Sequence, residues 1–185
     1  MKDSAVRERI LDVSSRLFYE QGYNLTGINQ IIEEAEIARG SLYNHFKSKD
    51  ELLMCYLETV SETWFTNLEA YLKPIDNPRK KIIALFDHRI SLQRDSRFSG
   101  CRFIKISAEV NRDQHSVFAF VAAHKKKYKA IIYQLVNEIK VPKHFTAETL
   151  TETIFLMLEG ASAIGATQKD PEHLQEAKKI IKELI

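Results

Sequence analysis

The segment Arg39-Gly40-Ser41-Leu42-Tyr43-Asn44-His45-Phe46 sets an arginine, an asparagine and several hydrogen-bonding side chains around two apolar residues four apart. A guanidinium offers paired donors to guanine and a carboxamide pairs with adenine; each good pair gives about 1–3 kcal/mol of discrimination in the major groove. On a short helix Leu42 and Phe46 share the inner face, which leaves Arg39, Gly40, Ser41, Tyr43, Asn44 and His45 outside. Gly40 has no side chain to hold the backbone away from base edges. Thr26, Ser41, Tyr43, His45 and Lys49 suit phosphates, with Lys49 and the N-terminus of a helix capped by Ser48 adding positive potential. On this reading Arg39 and Asn44 specify sequence, and the others fix position.

The net charge of +2 is too small to mark a nucleic-acid partner by itself. Its distribution says more: Arg39, His45, Lys47 and Lys49 lie in a stretch without acidic residues, just after Glu33, Glu34 and Glu36. Two cysteines, Cys55 and Cys101, cannot make a disulfide framework or a four-thiolate zinc site. Cys101 follows Gly100 at an expected helix start, with Arg102 and Lys105 near, which favours a reactive thiolate; the other reading is a small residue packed where the helix enters the core. Cys55 is expected to be inert. With no Gly-rich phosphate loop, His-Glu-x-x-His site or nucleophile-base pair, no enzyme, cofactor or metal site is expected.

The elements that must position these groups are all helical, because apolar residues recur three and four apart and no sustained alternation occurs. A first helix spans Ser4 to Gln21 and is ended by Gly22; Thr26 is placed to cap a short second helix, and a third covers Ala38 to His45. Ser48 caps a long helix that Pro74 and Pro78 stop. Five more are expected: Pro78 to Arg94, Gly100 to Val110, Gln114 to Ile139, a Thr146-capped one to Thr167, and one starting at Asp170-Pro171. Apolar residues make up 44% and charged ones 28%, a soluble balance. The longest apolar run, Phe118 to Ala123, falls far short of the roughly 20 residues that cross a bilayer, and no signal peptide is evident, so a cytoplasmic protein with no membrane partner is expected.

Thr26-Gly27-Ile28 through Lys49-Asp50-Glu51-Leu52-Leu53, and within it Leu42-Tyr43-x-His45-Phe46-x-x-Lys49-x-x-Leu52, resembles the DNA-binding domain of the tetracycline-repressor (TetR) family. The resemblance implies a nine-helix, all-α homodimer whose last two helices pair across a two-fold axis and whose middle helices enclose an effector pocket. Effector binding would move the DNA-reading heads apart and release the operator. Two positions depart from the pattern. Glu36 stands where the family commonly has Gly, at a cost of about 1 kcal/mol if that residue is left-handed. Ala38 replaces a usual Ser or Thr, which leaves the recognition helix without a side-chain cap. The stretch from Gly100-Cys101 to Val110 is similar to that of members which sense electrophiles through a cysteine there.

Trp64, Phe86, Phe103, Phe118 and Phe155, with His88 or Glu109 as polar anchors and Cys101 beside them, fit an effector pocket for an apolar or aromatic molecule, although each aromatic also fits plain core. The run His124-Lys125-Lys126-Lys127-Tyr128-Lys129 reads as the solvated face of a helix. Ile154, Leu158 and Ala161, followed by Leu174, Ile181 and Leu184, form apolar stripes that fit a four-helix dimer interface. A two-fold dimer predicts a palindromic operator in double-stranded DNA. The expected organisation is thus a three-helix helix-turn-helix DNA-binding domain in residues 1–47 and a larger helical effector-binding and dimerisation domain in 48–185. The protein reads as a repressor released by a small-molecule or electrophile effector. The alternative, an all-helical ligand-binding protein without DNA binding, rests on Glu36 and Ala38 alone.

Overall fold

The computed structural model describes residues 2–185, so Met1 of the expected 1–47 segment lies outside it. Among the described residues there are nine helices and no strand: α1 Lys2–Glu20, α2 Ile28–Glu34, α3 Arg39–His45, α4 Lys49–Leu72, α5 Pro78–Asp95, α6 Arg102–Glu109, α7 His115–Asn137, α8 Ala147–Gln168 and α9 Glu172–Leu184. The all-α architecture read from the periodicity is what the chain adopts.

Local signals set most of the boundaries. Gly22, at φ +99°, ends α1 in the left-handed conformation that glycine adopts without strain. Ser48 Oγ accepts from Glu51 N at 3.0 Å and caps α4. Pro78 opens α5 behind Asn77, whose side chain accepts from Lys80 N at 3.1 Å. Thr146 and Thr149 exchange hydrogen bonds in a capping box that starts α8. Thr26 departs from expectation. Gly27 stands at the N-cap of α2, while the Thr26 hydroxyl donates to Gly22 O at 2.7 Å and accepts from Gln21 Nε2. A carbonyl four residues back has captured the hydroxyl before the helix could use it.

The described chain divides into two compact units. One comprises the chain up to Trp64 with Arg102–Val121, the other Phe65–Cys101 with Ala122–Ile185. In the first, α1, α2 and α3 pack on one another around Ile10, Leu17, Phe18, Ile31 and Leu42. The base of this unit is tied to α6: Lys105 Nζ donates to Tyr19 O at 2.6 Å, and the Arg102 guanidinium lies 3.7 Å from the Tyr19 ring centroid.

In the second unit α5, α8 and α9 pack together around Leu85, Phe86, Leu150, Leu174 and Ile181. The stripe expected at a dimer surface is this unit's own interior: Ile154, Leu158, Leu174 and Ile181 are fully buried, Ala161 nearly so and Leu184 half-buried. Helical period shows which residues share an apolar face but not which chain fills it. The outward side of α8 carries Leu156, Gly160, Ala163 and Ile164 instead, and that of α9 carries Ile180. Gly165, among the small residues of α8, serves the fold of the single chain. A Cβ there would lie 2.7 Å from Asp170 O and 2.9 Å from Gln93 Oε1. No described helix is long and apolar enough to cross a membrane.

Candidate nucleic-acid interface

α2 ends in a turn that aims α3. Glu36 N bonds to Glu33 O and Ile37 N to Ile32 O, the reciprocal pair of a Schellman motif, which requires a left-handed residue at position 36. Glu36 takes that role at φ +51°. A non-glycine residue there costs about 1 kcal/mol, so Glu36→Gly should raise stability by up to about that amount, seen as a higher midpoint in urea unfolding. A lowered midpoint would mean that the Glu36 side chain contributes more than its backbone costs.

α3 starts without a side-chain cap, as Ala38 dictates. Leu42 and Phe46 are buried to 0% and 1% exposure and anchor the helix, whereas Arg39, Gly40, Tyr43 and Asn44 are exposed and Ser41 and His45 half-buried. A Cβ added to Gly40 would meet nothing within 4 Å, so the chain's own packing places no demand on glycine there. Among the described residues no hydrogen bond engages the Asn44 carboxamide. Arg39 is held by a neighbour: its Nη2 donates at 2.5 Å to Oδ1 of Asn29 on α2. Asn29 was not picked out by the sequence reading, since a pair ten residues apart across a turn leaves no periodic trace.

Two of the phosphate candidates are turned inward. Thr26 is fully buried, its hydroxyl spent on Gly22 O. Lys49 Nζ donates to Tyr23 O at 2.6 Å and lies 4.1 Å from the Tyr23 ring centroid. Burial holds its ammonium below the ordinary lysine value in spite of Asp50 and Glu109. Both residues brace the turn that carries α2. Lys47, between α3 and α4, is exposed and extends the positive surface.

Further braces fix the reading head. Tyr23 donates to Asp50 Oδ1 at 2.5 Å and Gln114 Nε2 to the same oxygen at 2.7 Å; burial and this bond push the Tyr23 phenol up. An Arg16–Glu34 ion pair joins α1 to α2. Glu109, expected as a pocket anchor, accepts from Asn24 N at 3.1 Å, and its backbone carbonyl accepts from Asn24 Nδ2 at 2.7 Å. Its carboxylate fills the space that a Cβ on Gly22 would occupy, 2.8 Å away. Glu109 thus braces the turn between α1 and α2. Of the other effector candidates in this unit, Phe103 is buried core, Trp64 half-buried, and Phe118 is turned outward at 37% exposure.

The remaining effector candidates, Phe86, His88, Cys101 and Phe155, lie in the second unit with a buried ionic cluster that the sequence did not disclose. Arg89 Nη2 donates to Glu159 Oε1 at 3.0 Å and Lys125 Nζ to Glu159 Oε2 at 2.5 Å. Lys125 Nζ also faces Cys101 Sγ at 3.6 Å. Burial would raise the Glu159 carboxyl, but Arg89 and Lys125 outweigh it and hold it below the ordinary value. His88 stacks on Tyr71 at 5.1 Å and is pushed down to about 4 by burial, then by Arg89. His124, at 4.9 Å from Phe65, is pushed down to about 4 by burial and then by Lys125 and Arg89. The run from His124 to Lys129 is therefore not a uniformly solvated face: His124 and Tyr128 are buried and Lys125 reaches inward, while Lys126 and Lys127 stay exposed. Phe86 is fully buried core, and Phe155 packs edge-on to Tyr128. Among the described residues no group of His, Cys, Asp and Glu is placed to hold a metal.

Residues 10–54 match the family model described as bacterial regulatory proteins, tetR family. The HTH-type transcriptional regulator TtgR of Pseudomonas putida is 26% identical over 167 residues, 83% of this chain and 77% of the relative. The HTH-type transcriptional repressor NemR of Escherichia coli is 28% identical over 106 residues, 56% of this chain and 53% of its own. In its reduced form NemR shares the fold at a TM-score of 0.83 and 21% identity, covering 98% of both chains. The crystal structure of SCO4454, a TetR-family transcriptional regulator from Streptomyces coelicolor, matches at a TM-score of 0.86 and 23% identity over 98% of this chain and 96% of that one.

Proposed function

We propose, from the premise that this chain is a TetR-family DNA-binding transcriptional regulator, that it acts in the cytoplasm as a homodimeric repressor. In this reading α3 of each protomer reads one half of a palindromic operator, and an effector held by the second unit releases the complex. The functional division is residues 1–47 for DNA and 48–185 for effector binding and dimerisation. The observation that carries the reading is the outer face of α3, where Gly40 and the unpartnered Asn44 project from a helix locked by buried Leu42 and Phe46. Arg39, presented by Asn29, supplies the second base-reading group; Ser41, Tyr43, His45 and Lys47 contact phosphates. The self-complementary surface is the outward side of α8 and α9, with Leu156, Gly160, Ile164 and Ile180, in place of the buried stripe.

Binding to a selected operator should fall steeply as salt rises, because each phosphate contact releases counterions. A flat response would exclude DNA as the partner. Asn44→Ala should lose about 1–3 kcal/mol of discrimination at one base position in each half-site. Lys47→Ala should weaken binding to all sequences alike and lower the salt slope. Selection from random DNA with each variant separates the roles, and equal loss of selectivity in both would contradict this division.

Release by an electrophile is favoured by one observation, the Lys125 ammonium that faces Cys101 Sγ at 3.6 Å. Operator release by a thiol-reactive electrophile in the native protein and its absence in Cys101→Ser is the expected result; equal release in both would remove Cys101 from the switch.

A further inference from the structure

The C-terminal end of α3 carries a cation that comes from another helix. The Arg7 guanidinium of α1 lies 5.3 Å from the centroid of the Phe46 ring, and its Nη2 faces Cys55 Sγ of α4 at 3.7 Å. Phe46 is buried and closes α3, so these two contacts hold an exposed arginine beside the last turn of that helix. Lys47, the next residue in the chain after Phe46, is exposed as well.

Neither contact satisfies the guanidinium. A phenyl ring attracts a cation through its face but accepts no conventional hydrogen bond, and a thiol sulfur is a weak acceptor. Among the described residues neither Arg7 nor Lys47 has a carboxylate partner. The neighbouring carboxylates are engaged elsewhere: Glu51, one turn before Cys55 on α4, accepts from Lys47 N at 2.6 Å, and Glu8 accepts from Ser4 Oγ at 2.9 Å. Arg16, farther along α1, shows the contrast, because it is spent on Glu20 and Glu34. Arg7 is therefore a braced cation with most of its N–H donors open, which suits paired contact with a phosphate.

Position decides which part of a DNA duplex this cation would meet. The first residues of a recognition helix reach base edges, whereas groups that flank the helix meet the backbone. Arg7 stands at the opposite end of α3 from Arg39 and Gly40. Lys49, which the sequence pattern assigns to phosphate just beyond this end, is turned inward onto Tyr23 O and leaves that role open. We infer that Arg7, together with Lys47, receives a DNA backbone phosphate at the C-terminal end of α3, so that α1 supplies part of the DNA-binding surface. The inference rests on the reading that α3 binds an operator, and it adds a residue to that site.

Operator binding by the full-length protein, measured over a range of salt concentrations, tests the contact. Arg7→Met removes the charge and keeps an apolar stem over Phe46. Arg7→Lys keeps the charge, and Arg9→Met removes an exposed charge from the other side of α1. Arg7→Met should reduce the slope of log K against log salt by about 0.9 for each protomer bound, and weaken binding about tenfold at ~0.15 M salt on all sequences alike. Arg7→Lys should retain most of the slope, and Arg9→Met should change it less than half as much as Arg7→Met. Urea unfolding confirms that the variants fold; if Arg7→Met does not, Arg7→Gln, which keeps a donor toward Cys55, takes its place. An unchanged slope in the folded variant, an equal fall in Arg9→Met or in Arg7→Lys, or an altered base preference would overturn the proposal. A flat salt response of the native protein would instead remove DNA as the partner, so the two failures are distinguishable.

Discussion

Glu159→Ala is expected to lower the unfolding free energy by about 3–5 kcal/mol, because it removes a carboxylate that Arg89 and Lys125 share in a poorly hydrated site. Arg89 is 9% exposed at its side chain and Lys125 18%, so neither can turn fully to water without opening the packing of α5, α7 and α8. Removal of one partner from a buried pair leaves desolvated charge behind, and here it leaves two. The Lys129–Glu152 pair, on the same two helices α7 and α8, provides a control. Its ends are 42% and 47% exposed at 2.8 Å, and the loss of such an exposed pair costs below about 1 kcal/mol. Urea denaturation of Glu159→Ala and Glu152→Ala side by side checks the contrast. Similar small losses in both would mean that water already reaches the Arg89 cluster.

Acidification should destabilise the second unit before its carboxylates are protonated. His88 and His124 titrate near 6.5 when unfolded and at about 4 in the folded chain. As pH falls from 6.5 toward 4 the unfolded chain takes up protons at both sites and the folded chain does not, so stability drops through that window and levels off below it. By pH 5 the loss is about 2 kcal/mol per histidine. Glu159, held below the ordinary carboxylate value, adds a loss in the same direction at still lower pH. Unfolding curves at pH 7 and pH 5 measure the effect, and His88→Phe and His124→Phe should each remove close to half of the difference. A protein equally stable at both pH values would show that the two rings are hydrated in the folded state.

The helix α3 and the turn before it were legible because what shapes their backbone is local. The four-residue spacing of Leu42 and Phe46, the missing cap at Ala38, the cap at Ser48 and the left-handed demand on Glu36 all act within one or two turns of helix. The charged cluster was not legible, since Lys125 and Glu159 stand 34 residues apart and nothing in the run around Lys125 tells an inward lysine from an outward one. Glu109 was misplaced for the same reason: its partner Asn24 is 85 residues away. The stripe from Ile154 to Leu184 was read at the right period and given to the wrong interior. Thr26 shows a subtler limit, because both fates of its hydroxyl, capping a helix or bonding backward to Gly22 O, are short-range and compete.

Gly40 remains. In the first turn of a helix glycine holds less firmly than alanine, by about 0.5–1 kcal/mol in a helix interior, and nothing within 4 Å of its missing Cβ objects to a methyl group. In the proposed function Gly40 is where DNA comes nearest, and there the chain keeps a weaker helix than its own packing would permit.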